Sequence, residues 1–209
     1  MKIAVIQASS QAQKNELIYS TVKRFAHDAD LINFGCKVDD EIKYSYIEIS
    51  VLAGLLLSSR SVDLVVTGCS SGQGMMLACN NMPGVLCGYI PTPKDAYLFA
   101  QINDGNAVSL PLGEGYTWAG QENMEKTLEQ LFSEPFGQGY PRDETARKLE
   151  DTKLLKKIRN SSQVKMTDLI KSLDKPILDK VLSKEDVIEY VLQNGKDEEL
   201  SLLIREMKK

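Results

Sequence analysis

The feature that most constrains the fold is a regular alternation of short apolar segments and helical segments over the first 133 residues. The pattern predicts strands at 3–6, 31–34, 63–67, 85–90 and 108–112, and helices at 12–27, 44–58, 74–80, 94–102 and 121–132. Five β-α units in succession need crossover connections, which favour a parallel sheet with helices on both faces. The sequence therefore predicts an α/β fold with a Rossmann-like, doubly wound, five-stranded parallel sheet.

The character of the chain changes after residue 133. Residues 134–141 are rich in Pro and Gly and predict a linker or an arm that follows the surface. Beyond them the charge rises and no strand pattern follows. Helices are expected at 145–158, 166–173, 184–192 and 197–207, the last two capped by Ser183 and by the turn Asn194-Gly195. We expect a Rossmann-like domain at 1–141 and a helical arm with a C-terminal extension at 142–209.

Composition and charge argue against several classes of protein. A net charge of −4 and a pI near 5.2 give no basis for binding nucleic acid or an anionic membrane surface. The longest apolar run, 51–57, is too short to span a bilayer. The four cysteines lack CxxC spacing, and no secretory signal is expected at the first residues. These features predict a cytoplasmic, globular enzyme without nucleic-acid or membrane partners.

Residues 65–78 combine an apolar strand, a turn of small residues and the start of a helix. This order places the thiol of Cys69 and a row of backbone N–H groups at the carboxyl end of a strand, where open α/β sheets bind ligands. The positive potential of a helix N-terminus favours the thiolate, which is the basic and nucleophilic form. Small polar neighbours are expected to leave this sulfur accessible, whereas Cys36, Cys79 and Cys87 lie in apolar segments and are expected to be structural.

Residue chemistry limits what this segment can do. A Walker loop would need Lys followed by Ser or Thr after its last glycine, but two methionines stand there. The single histidine, His27, supplies neither a metal cluster nor the base of a protease triad, so we expect no metal. What remains is acid–base or nucleophilic chemistry by Cys69, with Ser70, Ser71 and the amides of 72–74 stabilising an oxyanion.

Four segments resemble the ribose-5-phosphate isomerase B / galactose-6-phosphate isomerase family. Residues 67–84 are similar to its block of a cysteine, small residues, Gly-x-Gly, a short helix and Pro-Gly. Residues 101–108 resemble its His-Asn-Asp-x-Asn-Val block, and 139–142 resemble the arm after its last sheet helix. Residues 43–45 fall where the family often has Asp-Tyr-Pro. The resemblance covers roughly 1–150 and keeps order and spacing.

The resemblance implies a homodimeric aldose–ketose isomerase that shares its active sites between subunits and uses no cofactor. Cys69 matches the family's base, which moves a proton between C1 and C2 through a cis-enediolate, and Ser71 matches part of its anion hole. The further substrate contacts that the resemblance implies are Tyr44, Ser70, Gly72, Gln73, Gly74, Asn103, Arg142 and Arg147. Asn103 is expected to reach into the partner's site, and the two arginines are expected to hold a substrate phosphate.

The departures from the family pattern leave the substrate open. Its ring-opening histidine falls on Ile102, its Asp-His pair falls within 8–10, and one phosphate-binding arginine falls near Glu114. The first candidate substrate is a sugar phosphate of the ribose 5-phosphate or galactose 6-phosphate type. The second is an open-chain, unphosphorylated 4-deoxy-5-keto uronate from polysaccharide breakdown, whose carboxylate Arg142 or Lys43 would hold. A non-catalytic sugar-binding protein, and an oxidoreductase suggested by fold analogy alone, are the remaining hypotheses.

Overall fold

The computed structural model describes residues 1–208 of the chain. The strands are β1 (Lys2–Val5), β2 (Asp30–Asn33), β3 (Leu64–Cys69), β4 (Cys87–Tyr89) and β5 (Ala107–Pro111). The α-helices are α1 (Asn15–Phe25), α2 (Tyr46–Ser58), α3 (Gln73–Asn80), α4 (Pro93–Leu98), α5 (Gln121–Leu131), α6 (Thr145–Ser162), α7 (Met166–Ser172), α8 (Lys175–Leu182), α9 (Glu185–Asn194) and α10 (Glu198–Met207). Two 3-10 helices span Ser9–Lys14 and Arg142–Glu144, and a π-helix spans Phe99–Asn103.

The five strands form one parallel sheet in the order β2–β1–β3–β5–β4, so the predicted doubly wound fold is confirmed. Side chains alternate between the two faces of each strand. In β3, Leu64 and Val66 join the core beneath α1, α4 and α5, whereas Val65 and Cys69 join the core beneath α2 and α3. Cys69 therefore faces the same side of the sheet as α2.

Beyond its first turn, α2 is mostly apolar because neighbouring elements cover it. Its residues 48–57 are all buried between the sheet and the C-terminal helices α7, α8 and α9. A capping box of Ser45 and Glu48 starts the helix at Tyr46, two residues later than the pattern predicted. The C-terminal helices thus complete the core on this face. The division of the chain into a domain at 1–141 and an extension at 142–209 stays a prediction.

Three details of the predicted extension are wrong: the absence of α8, and the caps assigned to α9 and α10. α8 has no counterpart among the expected helices, although Pro176 in its first turn is compatible with a helix start because the missing N–H has no acceptor there. Ser183 does not cap α9: its hydroxyl donates to the carbonyl of Lys180, and Lys184 occupies the cap position. At α10 the side chain of Asp197 accepts the N–H of Leu200 and forms the cap.

Two boundaries near the expected site also differ from the prediction. β3 continues to Cys69 because Gly68 pairs closely with β5: a Cβ there would lie 2.5 Å from the carbonyl oxygen of Leu110. The single helix expected at 94–102 is α4 followed by the π-helix, which ends where Asp104 takes a left-handed conformation at φ 47°. Among residues 1–208, no helix is both long and apolar enough to cross a membrane.

Candidate active site

The strand order reverses between β1 and β3, because the chain proceeds from β1 to one side of the sheet and from β3 to the other. Open α/β sheets bind ligands at such a point, beyond the carboxyl ends of the strands. We call this side of the sheet the carboxyl edge and the opposite side the amino edge. At the carboxyl edge, the 3-10 helix beginning at Ser9 follows β1, and Cys69 is the last residue of β3. Both therefore adjoin the crevice where a ligand is expected.

All four cysteines are buried, and Cys69 is the least buried of them. Its residue is 8% exposed, compared with 0% for Cys36 and Cys79 and 5% for Cys87. Burial raises the pKa of Cys36, and a hydrogen bond with the Cys79 thiol, together with burial, raises the pKa of Cys87. Cys36 and Cys87 are thus neutral thiols at neutral pH, and all four cysteines are unpaired. Cys69 is therefore more buried than the sequence analysis expects from its small, polar neighbours.

The turn after Cys69 is fixed by a glycine that no other residue can replace without strain. Gly72 has φ 75°, and a Cβ there would lie 2.7 Å from the Tyr89 ring and 2.9 Å from the backbone nitrogen of Pro111. The buried hydroxyl of Ser109 donates to the carbonyl of Gly72 over 2.6 Å. Because a trans peptide points its N–H opposite to its carbonyl, this bond directs the N–H of Gln73 away from β5. That N–H and the next ones at the start of α3 have no acceptor within the helix.

Ser70 and Ser71 are tied to neighbouring segments that the sequence did not indicate. The side-chain amide of Gln11 donates to the hydroxyl of Ser70 over 2.9 Å, so the 3-10 helix after β1 contacts the turn after β3. The carbonyl of Ser71 accepts a longer hydrogen bond of 3.4 Å from the hydroxyl of Thr117. Gln11 is a site contact that the sequence analysis does not identify, since nothing in the polar turn 9–11 distinguishes it.

Tyr44 is held at both ends. Its N–H donates to the hydroxyl of Ser9 over 2.8 Å, and its carbonyl accepts the N–H of Ser9 over 2.9 Å. Its phenolic oxygen lies 3.0 Å from the hydroxyl of Ser183 in the C-terminal extension. Burial raises the pKa of Tyr44, so the phenol keeps its proton at neutral pH. Tyr46, which the sequence analysis does not name, places its ring next to Gly74, 3.7 Å from where a Cβ of that residue would be.

A cation and an acid neutralise each other beside the turn. The ammonium of Lys14 lies 2.9 Å from a carboxylate oxygen of Glu114 and 4.4 Å from the centre of the Trp118 ring. Glu114 follows Gly113, whose N–H donates to the carbonyl of Ser70, so the pair adjoins the turn after Cys69. The family pattern expected an arginine near this position. The Lys14–Glu114 pair instead leaves this wall of the site without the net positive charge that a phosphate dianion prefers.

Asn103, Arg142 and Arg147 lie away from Cys69 within one chain. Asn103 precedes β5 at the amino edge, whereas Cys69 pairs with the last residue of β5, at the other end of the strand. Arg142 donates to the carbonyls of Gln138 and Gly139 and pairs with a glutamate of the arm. Arg147 pairs with acidic neighbours on the surface of α6. The structure therefore assembles the carboxyl-edge residues of the expected site and leaves these three apart from it.

Buried amides stiffen the floor of the crevice. The side chain of Gln7, after β1, donates to the carbonyl of Cys36 and accepts from Asn15, which in turn bonds with Asn33 at the end of β2. Such a network fixes the ends of β1 and β2 relative to each other. Among residues 1–208, no group of three or more His, Cys, Asp or Glu side chains is placed to hold a metal ion.

The fold and the site define a class: an α/β protein that brings a cysteine, a glycine turn and a helix N-terminus together at the carboxyl ends of its parallel strands. The family model described as Ribose/Galactose Isomerase matches residues 3–150. The chain therefore belongs to the ribose/galactose isomerase family, and it is an isomerase of the intramolecular oxidoreductase type, as the sequence resemblance implied.

Solved structures support this membership over the whole length of the chain. A 4-deoxy-L-threo-5-hexosulose-uronate ketol-isomerase complexed with a tartrate is 34% identical, with a TM-score of 0.92, covering 100% of this chain and 99% of its own. A ribose-5-phosphate isomerase from Vibrio parahaemolyticus is 32% identical, with a TM-score of 0.91 and 99% coverage of both chains. A type B ribose 5-phosphate isomerase from Trypanosoma cruzi, 21% identical with a TM-score of 0.60 over 76% of this chain and 99% of its own, shares the fold. No curated protein matches the chain.

Proposed function

We propose that the protein is a ketol-isomerase of an open-chain sugar acid, with a 4-deoxy-5-keto uronate as its substrate. The observation that carries the proposal is the place of the only histidine: His27 lines a cavity with Met1 and Phe132 at the amino edge, away from Cys69. Opening a sugar ring requires proton transfers at the ring oxygen and the anomeric hydroxyl. Ile102 stands where the family pattern has its ring-opening histidine and cannot transfer a proton. An open-chain substrate needs no such step.

The charge beside the turn supports the same substrate. Glu114 offsets Lys14, so this wall suits the neutral, hydroxyl-bearing part of the uronate better than a phosphate dianion. The relative at 34% identity, which covers the whole chain, is itself a uronate ketol-isomerase. The substrate's carboxylate would be held by Arg142 from the arm of a second subunit, by a bidentate guanidinium contact.

In the proposed reaction the Cys69 thiolate removes the proton from C2 of the aldose. The C–H electron pair becomes the C1–C2 double bond, and the carbonyl electrons move onto O1 to give a cis-enediolate. Ser71 and the N–H groups of Gly72, Gln73 and Gly74 stabilise the oxyanion. A proton moves from O2 to O1, the proton on the Cys69 thiol exchanges with solvent, the thiol then protonates C1, and the ketose leaves. The reaction is redox-neutral overall, so it needs no external oxidant or reductant.

The test is an isomerisation assay in deuterated water with two substrate sets. The first set contains the open-chain uronates that unsaturated-uronate breakdown supplies, and the second contains ribose 5-phosphate and galactose 6-phosphate. We expect turnover and deuterium uptake at carbon with the uronates only. Turnover of the phosphates alone would overturn the uronate assignment, and binding of a sugar without deuterium uptake would favour the non-catalytic hypothesis.

A sugar phosphate remains the second candidate because one relative favours it. The Vibrio parahaemolyticus protein, described as a ribose-5-phosphate isomerase, is 32% identical over nearly the full chain, extension included. With this substrate, ring opening would have to use water or a group other than histidine, since Ile102 replaces the family's acid.

A homodimer with shared active sites is part of the proposal. Three apolar residues of α6 are exposed, Leu154, Leu155 and Ile158, and Leu77 of α3 is exposed at 60%. The two helices adjoin, because the guanidinium of Arg159 donates to the carbonyl of Asn80 at the end of α3. Exposed apolar side chains on two adjoining helices favour a partner. Four unpaired cysteines suit a reducing compartment, and we place the dimer in the cytoplasm.

Shared sites predict complementation between two inactive variants. If Asn103 acts in the partner's site, co-expression of Cys69→Ala with Asn103→Ala chains produces mixed dimers with one intact site each. We expect the mixture to regain about a quarter of the wild-type activity, because half of the dimers are mixed and each has one of two sites working. Co-expression of Cys69→Ala with Ser71→Ala is the matched control, since both residues then lie in the same chain's half of the site. Recovery in the control, or none in the test pair, would contradict shared sites.

A further inference from the structure

The C-terminal extension contacts a residue of the expected site. Tyr44, which the family resemblance makes a substrate contact, is 5% exposed and lies between two turns: the start of the 3-10 helix at Ser9 and the α8–α9 turn at Ser183. The family model ends at residue 150, so Ser183 belongs to a part of the chain that the family pattern does not describe. Two relatives that cover 99% or more of this chain share that part.

The direction of the Tyr44–Ser183 hydrogen bond follows from counting protons. A serine hydroxyl has one proton to donate. The hydroxyl of Ser183 donates that proton to the carbonyl of Lys180 over 2.7 Å. The bond of 3.0 Å to Tyr44 must therefore be donated by the phenol. With its proton committed to Ser183, Tyr44 offers a substrate lone pairs only, which makes it a hydrogen-bond acceptor.

An acceptor at this position selects the chemistry of the group opposite it. It binds a hydroxyl of the substrate, which has a proton to donate, and disfavours a carbonyl, carboxylate or phosphate oxygen, which has none. The ammonium of Lys184 lies 5.9 Å from the centre of the Tyr44 ring and is paired with Asp186 at 2.7 Å. Because Lys184 is paired with Asp186, Ser183 is the residue of the α8–α9 turn that forms a hydrogen bond with the Tyr44 hydroxyl.

We propose that Ser183 is a positioning residue for substrate binding, which orients the Tyr44 hydroxyl as an acceptor for a substrate hydroxyl. The inference rests on the proposed function, because it takes Tyr44 as a substrate contact. It assigns the C-terminal extension a part in substrate selection in addition to its packing on α2.

The test compares matched variants by steady-state kinetics on the uronate, or on the phosphate if the wild type uses that substrate. Ser183→Ala is expected to raise KM about three- to tenfold while kcat stays within about twofold, as for one lost hydrogen bond in binding. Ser183→Thr, which keeps the hydroxyl, is expected to have the KM of the wild type. Ser172→Ala is the control, because Ser172 closes α7 with the same bond to the carbonyl three residues earlier, over 2.7 Å, but is exposed.

A double variant separates a positioning role from a structural one. If Ser183 acts through Tyr44, then Ser183→Ala does not raise KM further in a Tyr44→Phe background. The thermal unfolding temperatures of Ser183→Ala and Tyr44→Phe should then be close to that of Ser172→Ala. An equal KM increase in both backgrounds, or a KM for Ser183→Ala equal to that of Ser172→Ala, overturns the inference while the proposed function stands. A wild type that turns over neither substrate set overturns both.

Discussion

Replacing Cys69 by alanine is expected to lower kcat by about 10²- to 10⁴-fold, the contribution of a positioned general base, while the protein stays folded. The change removes a sulfur atom from a residue that is 8% exposed, at the last position of β3, and leaves the backbone pairing with β5 intact. The measurement is kcat together with deuterium uptake at carbon from solvent. Both should fall together, because proton abstraction precedes both.

Cys79→Ala is the control for this prediction. Cys79 is fully buried in α3, just beyond the same turn, so its loss removes a thiol and some packing but no reacting group. We expect it to lower stability and leave kcat within a few-fold of wild type. A Cys69→Ala protein that still isomerises at a tenth of the wild-type rate or faster would remove Cys69 from the role of base.

Gly72→Ala is expected to have the second largest effect, on both stability and turnover. A left-handed φ costs a non-glycine residue about 1–2 kcal/mol. The added Cβ would meet the Tyr89 ring at 2.7 Å and the backbone of β5 at 2.9 Å, which costs about 1–3 kcal/mol more. The free energy of unfolding should fall by about 2–5 kcal/mol, measured by chemical denaturation. The turn must shift to relieve the contact, so kcat should fall about a hundredfold as N–H donors leave the oxyanion position.

Gly74→Ala provides the matched control two residues further along. Gly74 has a helical backbone in the first turn of α3, and a Cβ there would make an ordinary contact of 3.7 Å with the Tyr46 ring. Its N–H is retained in the variant. We expect a change in the free energy of unfolding within about 1 kcal/mol, in the stabilising direction, because alanine favours a helix over glycine. If both variants lose stability equally, the strain at Gly72 is not what fixes the turn.

The sequence was sufficient where local chemistry decides the structure. The alternation of apolar strands and helices in the first 133 residues specified five parallel strands with helices on both faces, because each helix needs one apolar face and each crossover returns the chain to the same edge. The strand, turn and helix around Cys69 were equally predictable, since a glycine turn before a helix start depends on neighbours only a few residues away.

Contacts between distant segments could not be predicted in this way. Gln11 reaches Ser70 across 59 residues, and Tyr44 meets Ser183 across 139, and neither pair leaves a spacing or a motif in the sequence. The prediction that Ser183 caps α9 is wrong because its hydroxyl donates to the nearby carbonyl of Lys180 and contacts the distant phenol of Tyr44 instead.

The sequence by itself determined the α/β class, the five parallel strands, the family and the residues at the turn after Cys69. Only the tertiary structure decided the strand order, the burial of α2 under the C-terminal helices, and the separation of Asn103, Arg142 and Arg147 from Cys69 within one chain. The physical reason is the distance along the chain over which each kind of interaction acts. Backbone preference and side-chain periodicity act within a few residues, whereas packing and hydrogen bonds between segments depend on which surfaces meet once the chain has folded.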